Sequence, residues 1–387
     1  MRKRILSVGH MEFPLGKAQV QRQLLLARAI IHEGFDVTVL CRYGIHNESD
    51  GIDKEGIFEE VNYIYCSGTS VRPEGILKRN FLKIKGLFNE IYYYWQFSKR
   101  KQLAGVLVST NNFYNIPFYF LLGKLFKSIT VIDNVEYWTA ITDHKGFDRF
   151  DKYLYDKLYF YFSDRIICIS DFLKLKVPAA IRDKVIKIPA ITDFEKFSIK
   201  IENPKLVEGE YFLYCGSENY FEVIDFVISA FEAQAEYTDT SLALVTKHTG
   251  ELQNRIERSN TRDRIFIFSG IPYSELVNLY RNSQALIIPM RNSDQDKARF
   301  PHKISEYCAS KRPIITNSVG EINNYFTKAN SFLCDAYDIQ DYSKAMMLAT
   351  TDQNLSETIA TESYYTGIRN FNYLSYSRSL IDLYQRK

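Results

Sequence analysis

Short apolar runs alternate with longer segments of helical period along the whole chain. In the first half, residues 4–9, 36–42, 63–66, 105–109, 129–134, 165–170 and 185–189 read as strands. Between the first two, Val20, Leu24, Ala27 and Ile31 recur at helical spacing, and Gly34 follows as a stop. Strands of continuous apolar character separated by helices predict a parallel sheet covered on both faces. The pattern restarts with strands at 211–216, 242–246, 264–270, 285–290, 313–317 and 331–334. Residues 193–209 are polar, carry Pro204 and lack a period, so they read as a linker. The expected fold is α/β, with two tandem Rossmann-like doubly wound domains at 1–195 and 205–369. A C-terminal helix at 370–387 is expected to join the first domain. Such a pair places an interdomain cleft where the carboxyl ends of both sheets converge.

Composition narrows the class. A chain of 387 residues exceeds one small domain, and 46% hydrophobic with 25% charged residues is ordinary globular content. The net charge of +3 gives no reason to expect nucleic acid as a partner, but its distribution is uneven: +8 over residues 1–200 and −5 over 201–387. The two halves are therefore expected to meet different surfaces. Six cysteines lie far apart without zinc spacing, which predicts free thiols in a reducing compartment. The apolar run after the first four residues is too short for a secretory signal, and no run approaches the ~20 residues of a membrane span. The expected location is the cytoplasm or the cytoplasmic face of the cell membrane.

The segment 285–320 carries the clearest chemistry. A buried strand ends at Met290, a polar loop follows, and Phe300-Pro301-His302-Lys303 opens a helix. Proline suits a first turn, leaving the N–H groups of His302 and Lys303 as a positive helix end suited to phosphate. Lys303 and Glu306 share one helix face. That pair fits a nucleotide diphosphate and its ribose hydroxyls, and equally a solvated surface ion pair. Asp294-Gln295-Asp296 has the spacing of a metal motif, but such pairs are common in polar loops and no metal ligand is assigned. For a base or acceptor-side group the candidates are His10, Asn134 and Glu136 at strand ends of the first domain, each of which also suits an ordinary loop.

The string RFPHKISEYCASKRPIITNSVGE, residues 299–321, resembles the donor-binding segment of GT-B glycosyltransferases of the retaining family 4. The resemblance implies that Glu306 holds the donor ribose and Lys303 the diphosphate, with Phe300, Pro301 and His302 in the same donor segment. Phe13-Pro14-Leu15-Gly16-Lys17-Ala18-Gln19-Val20 resembles that family's glycine-rich turn before the first helix, which implies a donor-side role for Gly16 and Lys17. Residues 185–197 (VIKIPAITDFEKF) and the unit from Gly216 to Phe231 also fit its register, whereas 44–104 fits only in outline.

Departures from the pattern are specific. The family's first acidic residue falls on Ala298, two of its phosphate cations fall on Ser217 and Glu222, and a strand-end glycine falls on Thr246. Lys247, Arg299 and Lys303 are available as replacements, and the guanidinium fork makes Arg299 the stronger substitute. The resemblance implies a retaining glycosyltransferase without metal or other cofactor, using a nucleotide-sugar donor. Its implied acceptor is a hydroxyl of a glycan or lipid-linked saccharide, as in cell-surface polysaccharide synthesis. Lys303 and Arg299 would act on the leaving diphosphate, with His10 or Glu136 on the acceptor side. Three alternatives stay open: a nucleotide-sugar epimerase, a phosphorylase, or a non-catalytic sugar-nucleotide-binding partner subunit, which Ala298, Ser217 and Glu222 would suit.

Residues 76–101 hold seven Lys or Arg and one Glu among Ile, Leu, Phe, Tyr and Trp95. This pattern fits a helix lying on anionic lipid, or a helix pair with a solvated polar face.

Overall fold

In the structure, a computed structural model, residues 2–9, 12–16, 18–141, 144–198 and 204–385 are described. The chain forms two units, Met1–Pro189 together with Tyr373–Lys387, and Ala190–Asn372.

Along the first unit run β1 (Arg4–Val8), α1 (Ala18–His32), β2 (Asp36–Cys41), β3 (Glu55–Phe58), β4 (Val61–Tyr65), α2 (Ile76–Lys99), β5 (Leu103–Val108), α3 (Asn115–Leu125), β6 (Ile129–Asn134), α4 (Gly146–Leu158), β7 (Arg165–Cys168), α5 (Asp171–Lys176) and β8 (Val185–Lys187). The sheet order is β3-β4-β2-β1-β5-β6-β7-β8. Its central strands are buried on both faces, with Ile5, Leu6, Val37, Val39, Val106 and Val131 sealed from solvent, which is why they read as continuous apolar runs. β3 pairs antiparallel with β4 at the edge and was not expected; its residues Glu-Gly-Ile-Phe are exposed or half-buried, so no apolar run marks it.

Helix α1 buries Val20, Leu24, Ala27 and Ile30, and Gly34 follows it with φ +84°, a left-handed stop that suits glycine. The same helix buries Arg22, whose guanidinium meets Asp133 at the end of β6 at 2.9 Å and donates to the carbonyls of Pro189 (2.6 Å) and Ile188 (2.9 Å). A buried guanidinium needs all of these partners, so it fixes the end of the sheet to the chain leaving β8.

In the second unit α6 (Phe194–Ser198) precedes β9 (Glu210–Cys215), α7 (Phe221–Gln234), β10 (Thr240–Val245), α8 (Gly250–Glu257), β11 (Ile265–Phe268), α9 (Tyr273–Asn282), β12 (Ala285–Ile288), α10 (Asp294–Ala298), α11 (Lys303–Ala309), β13 (Ile314–Asn317), α12 (Ile322–Tyr325), β14 (Phe332–Cys334), α13 (Ile339–Thr351) and α14 (Gln353–Phe371). The sheet order is β11-β10-β9-β12-β13-β14, all parallel. The expected linker is not wholly irregular: Phe194 and Phe197 bury one face of α6, and residues 199–203 lie outside the described residues.

After α14 the chain returns to the first unit, where a turn at Tyr373–Tyr376 and α15 (Ser377–Asp382) pack on α1 and bury Leu380, Ile381 and Leu383. All six cysteines are free thiols, five of them buried.

Candidate functional site

In the second unit the strand order reverses between β9 and β12. Ligands of open α/β sheets bind at such a reversal, outside the carboxyl ends of the strands. Cys215 and Gly216 leave β9 there, and the segment from Met290 through α10 and α11 leaves β12.

Three contacts hold that segment. Asn317, at the end of β13, is buried; its side-chain oxygen accepts from the Met290 N–H at 2.8 Å, and its amide donates to the Met290 carbonyl at 2.8 Å. Tyr342 donates to the same Asn317 oxygen at 2.7 Å. Gly320 turns with φ +57°, and a Cβ there would stand 2.9 Å from the Lys297 Cα, so the turn lies directly against α10. Helix α11 packs on α14 where Gly367 leaves no room for a side chain beside Cys308.

Glu306 and Lys303 project from one side of α11. The Glu306 carboxylate accepts hydrogen bonds from Tyr273 at 3.1 Å and Tyr280 at 3.2 Å, both on α9. Burial pushes its pKa above the usual carboxylate range, against the opposing pull of the Lys303 charge and the two tyrosine hydroxyls. The Cys215 thiol at the end of β9 is likewise raised by burial, against the opposing pull of the Lys303 charge. The pair is therefore not the bare solvated ion pair that the spacing also allowed. Each carboxylate oxygen has two lone pairs, and one tyrosine on each leaves capacity for two further hydroxyl donors. The sequence pattern gave no hint of Tyr273 and Tyr280, which lie 33 and 26 residues upstream.

Arg299 is already partnered. Its guanidinium meets Asp296 at 2.8 Å and lies over the Tyr220 ring at 4.5 Å. Asp296 is sealed from solvent and also binds Arg291, through the backbone N–H at 2.7 Å and Nε at 3.1 Å. The second acid of the Asp-x-Asp string is thus an internal anchor for two guanidinium groups. Phe300, expected in the donor segment, is a core residue instead: it is 2% exposed and its ring lies 5.5 Å from those of both Tyr325 and Phe371. Pro301 and His302 are half-buried just before α11. With seven residues, α11 has too little aligned backbone for a strong dipole, so Lys303 supplies most of the local positive charge.

Gly216 has no room for a side chain beside the Tyr214 hydroxyl, and its N–H is engaged by the Val245 carbonyl at 3.1 Å. It permits close approach without offering a donor. Ser217 caps a short turn by accepting from Asn219, and Glu222 is exposed 3.4 Å from Arg291. Lys247 is largely exposed after β10, 4.0 Å from Glu218. In the first unit, Gly16 sits in an exposed turn before α1, Asn134 is buried at the end of β6, and Glu136 is half-buried in the loop beyond. His10 and Lys17 lie outside the described residues.

Residues 195–365 match the family described as Glycosyl transferases group 1. No curated protein matches the chain in sequence. Among solved structures, a sucrose-phosphate synthase from Thermosynechococcus elongatus superposes with a TM-score of 0.73 at 14% identity, covering 99% of this chain and 98% of that one. A glycosyltransferase from Rickettsia africae reaches 0.70 at 15% identity, covering 99% and 98%. Anabaena HepE in complex with UDP and glucose reaches 0.69 at 13% identity, covering 98% and 99%. The fold is that of these proteins: the GT-B architecture of two Rossmann-like domains.

Proposed function

We propose, from the match of residues 195–365 to the family described as Glycosyl transferases group 1, that the protein moves a sugar from a nucleotide-sugar donor to a hydroxyl acceptor. The observation that carries the reading is the pairing of Glu306 and Lys303 on one side of α11, at the strand reversal where nucleotides bind in such sheets. Ribose hydroxyls donate to the lone pairs that the tyrosines leave open on Glu306. Lys303 stabilises the negative charge that builds on the leaving diphosphate, and Arg299 adds to it while sharing its charge with Asp296. Because side-chain cations do this work, the transfer needs no metal. Fixing ribose and diphosphate holds the anomeric carbon for attack; retention of configuration is proposed from the resemblance of residues 299–321 to the retaining family's donor segment. The solved relative that holds UDP and glucose favours a uridine diphosphate hexose as donor. A glycan or lipid-linked saccharide in polysaccharide synthesis is the proposed acceptor.

A thermal-shift screen of nucleoside diphosphates and their sugars tests this. A ligand at 100 times its Kd stabilises the fold by about 2.7 kcal/mol, and the shift should shrink in Glu306→Gln. No shift with any nucleotide, or an equal shift in wild type and variant, would overturn the site.

A further inference from the structure

Helix α2 has two unlike sides. One side, carrying Gly86, Glu90, Tyr94 and Phe97, is buried against the first unit. Roughly opposite, Leu77, Phe81, Ile84, Phe88, Tyr92 and Trp95 are exposed, from 87% at Leu77 to 45% at Trp95. At 100° per residue these six fall within an arc of about 80°, a continuous apolar stripe along a helix roughly 36 Å long. Single exposed apolar residues need no explanation, but a stripe of six does.

The charge on the helix identifies the occupant. Lys78, Lys85 and Lys99 are exposed beside the stripe, and the Lys99 ammonium lies 4.9 Å from the centre of the Trp95 ring. Within α2 the one carboxylate, Glu90, is 0% exposed and points inward, bound by Arg42 at 2.7 Å and Tyr119 at 3.0 Å. The outward side therefore presents apolar rings, aliphatic groups and cations, with no acid. A second copy of this chain would bring lysines against lysines, since an isologous contact repeats the same patch on both partners. An anionic surface with an apolar interior satisfies both features at once.

The stripe also has company. The crossovers β4–β5, β5–β6 and β6–β7 all advance in one direction along the sheet, so right-handed connection sets α2, α3 and α4 on the same face. The latter two expose Leu121, Leu125, Phe147 and Phe150. We infer that this helical layer of the first unit, led by α2, seats the protein on an anionic lipid bilayer. No helix among the described residues is long and apolar enough to cross a membrane, so the seat is superficial.

Co-sedimentation of the full chain with vesicles tests the inference. The wild type should sediment with mixed phosphatidylserine–phosphatidylcholine vesicles, stay soluble with phosphatidylcholine alone, and release at high salt. Lys78→Gln with Lys85→Gln should weaken binding by about five-fold per lysine, which corresponds to about 1 kcal/mol each near a charged membrane. Leu77→Gln with Phe81→Gln and Phe88→Gln should abolish binding at any salt while leaving the melting temperature and circular dichroism unchanged, because all three side chains are exposed. A wild type that ignores anionic vesicles, or a triple variant that binds as well as wild type, would refute the lipid seat. So would a wild-type dimer that the triple variant dissolves, which would make the stripe a self-association face. Donor-induced thermal shifts should persist in every variant, so failure here is distinguishable from failure of the donor site.

Discussion

Glu306 sits between opposing influences, with burial favouring its neutral form and Lys303, Tyr273 and Tyr280 favouring the charged one. Burial prevails, so its folded pKa exceeds its unfolded value, and stability conferred below the ordinary carboxylate range is lost as pH rises through the raised value. Glu306→Gln cannot ionise, so the melting-temperature difference should move in the variant's favour across that window; a difference flat with pH would contradict the raised pKa. Turnover should show the opposite balance. Glu306→Gln should raise the donor KM by a factor equivalent to about 1.5–3 kcal/mol, the worth of charged hydrogen bonds to hydroxyls that do not change during reaction. Lys303→Met should instead lower kcat by roughly 10²–10³ with little change in donor Kd, because the charge it meets grows in the transition state. Steady-state kinetics beside calorimetric donor titration separate the two outcomes. Asp296→Asn should cost about 3 kcal/mol in a denaturation curve, since it removes the buried anion that two partly buried guanidinium groups share. Lys303 and Glu306 stood out in the sequence because they lie three positions apart, on one helix face, in a segment that resembles a known donor-binding motif. Their tyrosine partners were not, because only the packing of α9 beside α11 brings them near. Arg299 read as a free cation and Phe300 as a donor contact because spacing does not reveal what turns inward.

Where strands are buried on both faces, the apolar runs located them to within a residue or two. Short antiparallel β3, with two residues exposed and two partly buried, left no such trace. The two faces of α2 show a related limit: apolar residues occur on both sides, and only the structure shows that Tyr94 and Phe97 face the core while Phe81 and Phe88 do not. Seven-residue α11 is too short to be stable by itself and depends on its neighbours. On α14, Gly367 leaves no room for a side chain beside Cys308 of α11. Gly367→Ala should therefore overpack the α11–α14 seam at a cost of about 1–3 kcal/mol, and should weaken donor binding although it touches no donor group. A melting curve and a donor titration on the same sample check both effects; an unchanged donor Kd would mean that α11 keeps its place without that contact.

At the scale of the whole molecule the two units differ in how they are closed. The first needs residues from both ends of the chain, because Leu380, Ile381 and Leu383 return to cover α1. Burying three such side chains contributes roughly 5–9 kcal/mol, comparable with the 5–15 kcal/mol stability of a typical domain. Truncation after Asn372 should therefore unfold the first unit while Ala190–Asn372 keeps its own cooperative transition, as hydrogen exchange or limited proteolysis would show. The second unit is one uninterrupted stretch, and its two ends meet: the Thr192 N–H donates to the Phe371 carbonyl at 2.8 Å. A segment whose entry and exit lie one hydrogen bond apart is topologically an insert in the host chain, the arrangement in which transplantation between proteins is best tolerated. Recombination, in nature or at the bench, can thus exchange the whole second unit as a cassette by rejoining the backbone at one paired seam.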